Sequence, residues 1–401
     1  MALADIRKQV DKIKTTYDRG IVEATANNLI RKIAFDSPQL TYMFSGFSYD
    51  RIHQFFSPES SGKSSLSTYM ASQLQKKMPI EIERLAKEAE DSGDKDKAKK
   101  IRKEFTDKQV VIYLDYERTF DPVYAENLGL NTDEDHFILL QPDTLEDGFN
   151  MIEPMVKSGS ICCIIFDSDA AAPTALDNES EVGATGFNGA KGANTLKEVY
   201  KRYGILCSNY LTPMIVISQE RANMNVMAKL PSQTGGTAIK YFSSTRNRLS
   251  KLDTLKNGDD AIGIQIRVRN YKNKTGIPNR DAIMNLYFDG GFNSDDEYFD
   301  FLVMFGLIHK AGGWFDAADI GMPKLQGSVK VKDWLKQNPD VYEDLKKKVD
   351  SMLMSKNVLD ENNVDYEKAE QSGVTVEETK TPAQLAIEAL GLQESPPDLG
   401  L

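Results

Sequence analysis

The chain is poor in cysteine, histidine and tryptophan, and it has no long apolar run. Its only thiols are Cys162, Cys163 and Cys207, and the first two are adjacent in an apolar run where successive side chains point to opposite faces. An odd count without framework spacing excludes a disulfide scaffold and predicts buried thiols in a reducing compartment. His53, His136 and His309 share no metal-ligand spacing, which argues against a zinc site and leaves polar or capping roles. No stretch approaches the ~18 apolar residues of a membrane span, and the start Met1-Ala2-Leu3-Ala4-Asp5-Ile6 lacks a signal-peptide apolar region. A soluble, cytoplasmic protein without a membrane partner is expected.

What is present is size and unevenly spread charge. A chain of 401 residues, 40% of them hydrophobic, can bury one large core with smaller attachments. The net charge of −11 argues at first against a nucleic-acid partner, but ten Asp/Glu against three Lys from Ser355 to Leu401 account for −7 of it. The remainder is near balance, so basic strips elsewhere can still meet phosphates.

The most informative stretch is Ser57-Pro58-Glu59-Ser60-Ser61-Gly62-Lys63-Ser64-Ser65. It follows the apolar run His53-Gln54-Phe55-Phe56 and leads into Leu66-Ser67-Thr68-Tyr69-Met70-Ala71, which reads as strand, tight loop and first helical turn. Backbone N–H groups at a helix N-terminus offer partial positive charge to an anion. The pattern is that of a phosphate-binding loop, in which Lys63 reaches the β- and γ-phosphates and the Ser64 hydroxyl ligates Mg²⁺. One position departs: Ser57 stands where the motif has its first glycine. Serine takes a strongly positive φ only at a cost, so a slightly altered loop is expected. The bland alternative is a Ser/Gly loop that caps a helix and binds nothing.

Residues 2–33 show helical periodicity, with Ile6, Val10 and Ile13 on one face and Val22, Leu29, Ile30 and Ile33 on later turns. After the phosphate loop a helix runs into Pro79-Ile80 and a charged segment, Glu81 to Lys108, with acids and bases in equal number and Gly93 as a break. It reads as a solvated helical hairpin. Short apolar runs follow, at Val110–Leu114, Ile161–Phe166 and Met214–Ile217, with helical patterns between them, which predicts a parallel α/β sheet. The runs from Ile262 to Val268 and Ile283 to Phe288 alternate more and read as an antiparallel edge.

In such sheets ligands sit at the carboxyl ends of the strands. The residues there form a set: the phosphate loop; Asp115-Tyr116-Glu117; Asp167-Ser168; and Ser218-Gln219-Glu220-Arg221. Asp167 suits the carboxylate that holds a Mg²⁺ shell. Glu117 is placed to orient or deprotonate an attacking water, and Gln219 to sense the γ-phosphate. Singly each reads equally well as a cap or turn former; together they point to hydrolysis.

These residues carry a wider pattern. Asp115-Tyr116-Glu117-Arg118-Thr119-Phe120-Asp121-Pro122-Val123-Tyr124-Ala125 is followed by Gln141-Pro142-Asp143-Thr144, Phe166-Asp167-Ser168-Asp169-Ala170-Ala171, Thr234-Gly235-Gly236-Thr237-Ala238-Ile239-Lys240-Tyr241 and Lys272-Asn273-Lys274. From about Pro38 to about Leu353 the chain resembles the RecA strand-exchange recombinase family, including its bacteriophage relatives. The resemblance implies an α/β fold: a RecA-like phosphate-loop ATPase core with a mostly parallel central sheet, an N-terminal helical segment and a small C-terminal α+β domain. The implied division is 1–36, a helical oligomerisation segment; 37–288, the core with its 80–108 insertion; 289–354, the small domain; and 355–401, an acidic tail expected to be largely disordered.

The resemblance also implies roles. Glu59, Ser60, Ser61, Gly62, Lys63, Ser64 and Ser65 would bind ATP phosphates, Ser64 and Asp167 would hold Mg²⁺, and Glu117 would be the catalytic carboxylate. Tyr124 would stack on adenine with Asp121 nearby, and Gln219 would couple the γ-phosphate to the loop after it. Lys272 and Lys274 would reach the nucleotide of the next subunit in a filament, as an arginine finger does; without the resemblance they read as a solvated turn.

Two glycine-bearing loops, 181–191 and 221–236, would contact single-stranded DNA through Lys191, Arg221, Met224, Lys229, Gly235 and Gly236. Small residues there admit phosphates to the backbone, and nothing suggests base-edge readout. The small C-terminal domain, with Lys330, Lys332, Lys336 and Lys346 to Lys348, would meet double-stranded DNA. Further implied partners are the chain itself, in a helical filament, and loader or single-strand-binding proteins; for a phage-encoded member the compartment is the host cytoplasm. Two departures are Thr237, where asparagine is usual, and the 80–108 insertion. The expected function is ATP-dependent strand exchange, with a ring-forming helicase on the same core, or a non-hydrolysing scaffold, as rivals.

Overall fold

The structure, a computed structural model, describes residues 31–179, 188–221, 232–233 and 238–354. Most of the N-terminal helical pattern and the acidic tail lie outside these residues. Ile33, expected on the last turn of a helix, lies instead in strand β1 (Lys32–Ile33), which pairs antiparallel with β2 (Phe47–Ser48) across helix α1 (Pro38–Phe44). The reason is local: Ile33 and Phe35 alternate inward and both are buried, which an extended backbone satisfies.

Strand β3 (Ile52–Ser57) is buried at every position and ends at the phosphate loop, from which helix α2 (Lys63–Asp91) departs. α2 is continuous through Pro79; the proline removes one internal bond without ending the helix. The break at Gly93 is as expected, with φ +87. Asp94 then caps helix α3 (Lys95–Glu104) by accepting the Lys97 N–H at 2.9 Å. The charged segment is therefore a hairpin whose first arm extends the phosphate-loop helix. It is less purely solvated than its composition suggests. Ala86, Ala89 and Ala98 are buried between the arms, and Arg102 bonds Glu83 at 2.9 Å and Glu90 at 2.5 Å.

The chain continues through β4 (Val110–Asp115), α4 (Pro122–Asn127), β5 (Phe137–Leu140), α5 (Leu145–Lys157) and β6 (Ile161–Asp167). Next come α6 (Ala175–Glu179), α7 (Asn188–Tyr210), β7 (Met214–Arg221), β8 (Ser232–Gln233) and α8 (Ala238–Phe242). β9 (Thr245–Asn257), β10 (Asp260–Asn273), β11 (Asp281–Tyr287) and β12 (Gly291–Phe292) complete the sheet. Its order is β12-β11-β10-β9-β3-β7-β6-β4-β5, with β8 off β7. From β9 to β5 all neighbours run parallel, and from β9 to β12 they are antiparallel. This is the RecA-like α/β arrangement expected, with β3 in the middle of the sheet.

Alternation along the strands makes two cores. Phe55, Tyr113, Ile165 and Ile217 pack beneath α2, and Ile112, Phe166, Met214 and Val216 pack beneath α5 and α7. The adjacent cysteines are buried as expected but share the first core rather than splitting between faces. Pairing skips Cys162, since Val110 is opposite Ile161 and Val111 opposite Cys163, and that irregularity cancels the alternation.

The C-terminal elements are α9 (Asp295–Met304), the antiparallel β13 (His309–Ala311), β14 (Trp314–Ala317) and β15 (Met322–Gln326), and helices α10 (Ser328–Gln337) and α11 (Pro339–Met354). They enclose a separate cluster around Leu302, Ile308, Val331, Leu335 and Val349. Tyr42 of α1 joins that cluster, and the Ser37 hydroxyl donates to Glu297 at 2.5 Å, tying the unit to the core.

Candidate active site

The carboxyl ends of β3, β4, β6 and β7 bring one group of polar side chains together. At the end of β3 the loop turns through Ser60 (φ +56) and Gly62 (φ +81) into α2. Ser57 is the buried last residue of the strand and needs no positive φ, so the glycine expected there is dispensable. The Lys63 ammonium folds back over the loop, donating to Pro58 O at 2.9 Å, Ser57 Oγ at 3.1 Å and Ser57 O at 3.3 Å. Burial lowers its pKa, against the opposing pull of Asp167, Glu117, Glu59 and Glu220. Those carbonyl bonds hold the cation in place with its charge directed at the loop.

Asp167, at the end of β6, is almost fully buried. Its Oδ2 accepts the Ser64 hydroxyl at 2.8 Å and the Tyr113 hydroxyl at 2.7 Å. Burial pushes its pKa up to about 6; the Tyr113 and Ser64 hydrogen bonds oppose that rise, and the nearby Glu117 and Asp115 carboxylates add to it. Beside it, Glu117 Oε1 accepts from Ser168 Oγ at 2.7 Å and from Gln219 Nε2 at 3.1 Å. Lys63, Ser64, Asp167, Glu117 and Gln219 are thus drawn together from four neighbouring strand ends.

Tyr124 lies at the edge of this group, its hydroxyl donating to Ser65 Oγ at 3.0 Å. Asp121 caps α4: its Oδ1 accepts the N–H groups of Val123 and Tyr124 at 2.9 and 3.1 Å. Glu59 and Ser60 are exposed on the loop, and Ser61 is buried with its hydroxyl on Pro58 O.

Lys272 and Lys274 are not in the group. Lys272 pairs in register with Arg246, and Arg246 with Gln54, so both lysines lie back along the strands, ~10 Å or more from the phosphate loop. They close the end of α8, Lys272 on Lys240 O and Ser243 O at 2.5 and 2.8 Å, and Lys274 on Tyr241 O at 3.0 Å. Burial, with Lys274 and Arg246 nearby, lowers the Lys272 pKa to about 8. Met224, Lys229, Gly235 and Gly236 lie outside the described residues, as do the side chains of Lys191 and Arg221.

A profile of the RecA N-terminal domain matches residues 88–293, just over half of the chain. The chain belongs to the RecA family. Protein RecA of Clostridium botulinum (strain Alaska E43 / Type E3) is 30% identical over 300 residues, covering 75% of this chain and 74% of that protein. Protein RecA of Chloroflexus aurantiacus is 29% identical over 362 residues, 88% of this chain and 92% of that protein. A crystal structure of the RadB recombinase aligns with 63% of this chain and 94% of its own at 18% identity, with a TM-score of 0.40.

In this RecA-family site Tyr113 and Arg248 escape a reading of the sequence, and the contacts of Ser168, Asp115 and Glu220, though these stand in the strand-end set, are not legible there. Tyr113 shares a strand face with Asp115, and a phenol in an otherwise aliphatic run is the available signal. Ser168 directly follows Asp167, yet its bond to Glu117 crosses between strands. Asp115, at the end of the same strand as Glu117, is structural: it accepts the N–H groups of Thr119 and Phe120 and the Gln141 amide at 2.9 to 3.3 Å. Behind Gln219, the buried Glu220 forms a bidentate pair with Arg248 at 3.1 Å.

Proposed function

We propose that the chain is an ATP-dependent, DNA-stimulated strand-exchange recombinase that forms helical filaments on single-stranded DNA and acts in homologous recombination and repair. The observation that carries this reading is the convergence of Lys63, Ser64–Asp167 and Glu117–Gln219 at one strand-end cluster in a chain of the RecA family.

In this reading Lys63 and the N–H groups opening α2 grip the β- and γ-phosphates of ATP. Ser64 Oγ and Asp167 Oδ2 are hard oxygen donors beside that cradle, which fits Mg²⁺, an ion that takes one or two protein oxygens and completes its shell with phosphates and water. Bound there, Mg²⁺ supplies charge neutralisation of the phosphates. Among the described residues no three His, Cys, Asp or Glu side chains form a metal cluster, and a phosphate-assisted site needs none. Glu117 orients the attacking water and draws its proton; Ser168 and Gln219 both hold Oε1, so Oε2 is the oxygen assigned to the water. The O–P bond to the γ-phosphoryl group breaks as the water oxygen bonds to phosphorus, releasing ADP and phosphate.

Gln219 transmits the state of the γ-phosphate to the 221–236 loop, which with 181–191 contacts single-stranded DNA; the C-terminal unit takes duplex. Tyr124 stacks on adenine, and Asp121 acts by capping its helix. Lys272 and Lys274, remote from their own loop, complete the site of the next subunit, so ATP bridges protomers and favours the DNA-binding state. The inserted hairpin suits a bacteriophage-encoded member working in host cytoplasm with loader or single-strand-binding proteins.

The test is strand exchange between circular single strands and homologous linear duplex. Joint molecules that require ATP, Mg²⁺ and homology are expected. Closed rings that unwind forked DNA without forming joint molecules would overturn the reading in favour of a helicase.

A further inference from the structure

The hairpin carries a charge pattern that the nucleotide site does not use. α3 holds Lys95, Lys97, Lys99, Lys100, Arg102 and Lys103 against only Asp96 and Glu104. Arg102 engages Glu83 and Glu90 of the facing arm, and on that arm Arg84 engages Glu81 and Glu88 of its own helix. Lys95, Lys99 and Lys103 are exposed and recur every fourth residue, a cationic stripe ~12 Å long. Lys95 lies near Glu90, but among the described residues neither Lys99 nor Lys103 makes an ion pair. Like charges at this spacing disfavour a helix unless an anion lies across them.

A second observation concerns where the described chain stops. The Met354 sulfur, at the end of α11, would be 3.2 Å from a Cβ placed on Gly46. Three residues further on, the Tyr49 hydroxyl donates to Glu81 at 2.6 Å, at the root of the hairpin. α11 therefore delivers the chain to the base of the cationic arm. The next 47 residues, 355–401, carry ten carboxylates and three lysines. At ~3.3–3.6 Å per extended residue, a quarter of that length already reaches ~40 Å from Met354.

We propose that the acidic 355–401 segment docks on the Lys95–Lys99–Lys103 stripe of its own chain. Tethering favours this occupant, since a linked anion meets the stripe at high effective concentration. DNA is the weaker candidate: Gln75, midway along α2, is level with the start of β5, where it bonds His136 O, so the hairpin extends from the end of the sheet opposite the phosphate loop. Docking also has a consequence that rests on the proposed DNA binding: a tail held on the hairpin is withheld from the basic surfaces that take DNA.

The experiment is carbodiimide coupling of the full-length chain, in an equal mixture of light and heavy isotope label, mapped by mass spectrometry. Expected are links from Lys99 or Lys103 to carboxylates of 355–401, within one isotope, falling about fivefold or more at about 0.5 M salt. Tail links confined to other lysines overturn the proposal, and links that mix isotopes overturn it in favour of a neighbour's tail. A second arm measures duplex affinity for a Lys95→Glu/Lys99→Glu/Lys103→Glu chain, checked for folding by circular dichroism. A loss of about threefold or more in the full chain, absent after deletion of 355–401, is expected. Equal loss in both backgrounds means that the hairpin binds DNA itself and overturns the docking. If no form binds DNA, the functional reading fails while the coupling experiment still decides the docking.

Discussion

Glu117→Gln isolates the chemical step from binding. Glutamine keeps an oxygen that can accept from Ser168 Oγ and Gln219 Nε2, now 2.7 and 3.1 Å from Glu117 Oε1, so the geometry survives while the proton-accepting charge is lost. A positioned general base contributes ~10² to 10⁴ in rate, or about 3–5 kcal/mol at ~1.4 kcal/mol per tenfold. Turnover should fall by that factor with ATP affinity unchanged, because Lys63 and Ser64 are untouched. Ser168→Ala removes one hydrogen bond to a charged acceptor, ~1.5–3 kcal/mol when fully buried. Glu117 is only half-buried, so a loss of roughly tenfold or less is expected. Since Ser168 acts through Glu117, the double variant should be no slower than Glu117→Gln alone. Phosphate release, with nucleotide binding followed in parallel, reads both quantities. Glu117→Gln turnover within about threefold of the parent would refute the assignment.

If Lys272 and Lys274 serve a neighbour, Lys272→Ala/Lys274→Ala should bind ATP but turn over poorly, and mixing with Lys63→Ala subunits should restore part of the activity; no recovery would place their action elsewhere. Lys108 is fully buried, donating to Ile161 O, Tyr210 O, Gly159 O and Thr212 Oγ1 at 2.6 to 3.2 Å, and burial lowers its pKa to about 7. The unfolded chain then holds more protons from about pH 7 up to the ordinary lysine value. Stability from this group should rise with pH across that window and be absent below it. Urea unfolding at pH 7 and 9, compared with Lys108→Met, checks the sign; a deficit of Lys108→Met that shrinks with pH contradicts it. Gly159 has φ +89, and a Cβ there would lie 1.8 Å from Glu104 O, so Gly159→Ala should cost about 3 kcal/mol or more in thermal or urea unfolding.

The strands that carry the site are legible because they are buried on both faces: β4, β6 and β7 read as unbroken apolar runs ending in polar residues, and β3, which holds the polar His53 and Gln54, is marked by the phosphate loop that follows it. β9 is missed for the opposite reason. The half-buried Arg246 and Arg248 alternate with the buried Asn247 and Leu249, so its pattern is too polar to read as a buried strand. β5 is short and only partly buried. Around Pro79, Met78 and Ile82 of α2 are buried in the first core, tertiary packing that a local rule about proline does not see. The Ser168–Glu117 and Tyr113–Asp167 bonds join residues of different strands, so they exist only once strand order is known. The same holds for Lys272 and Lys274, whose distance from the phosphate loop follows from the β3–β9–β10 register.

The central claim is that DNA and nucleotide occupancy are coupled through one strand-end cluster. Phosphate release from ATP and Mg²⁺, measured with and without long single-stranded DNA, tests it most directly. The account predicts release that rises about tenfold or more with the polynucleotide and disappears in Lys63→Ala. Release that ignores DNA, or that persists without the Lys63 ammonium, would contradict it.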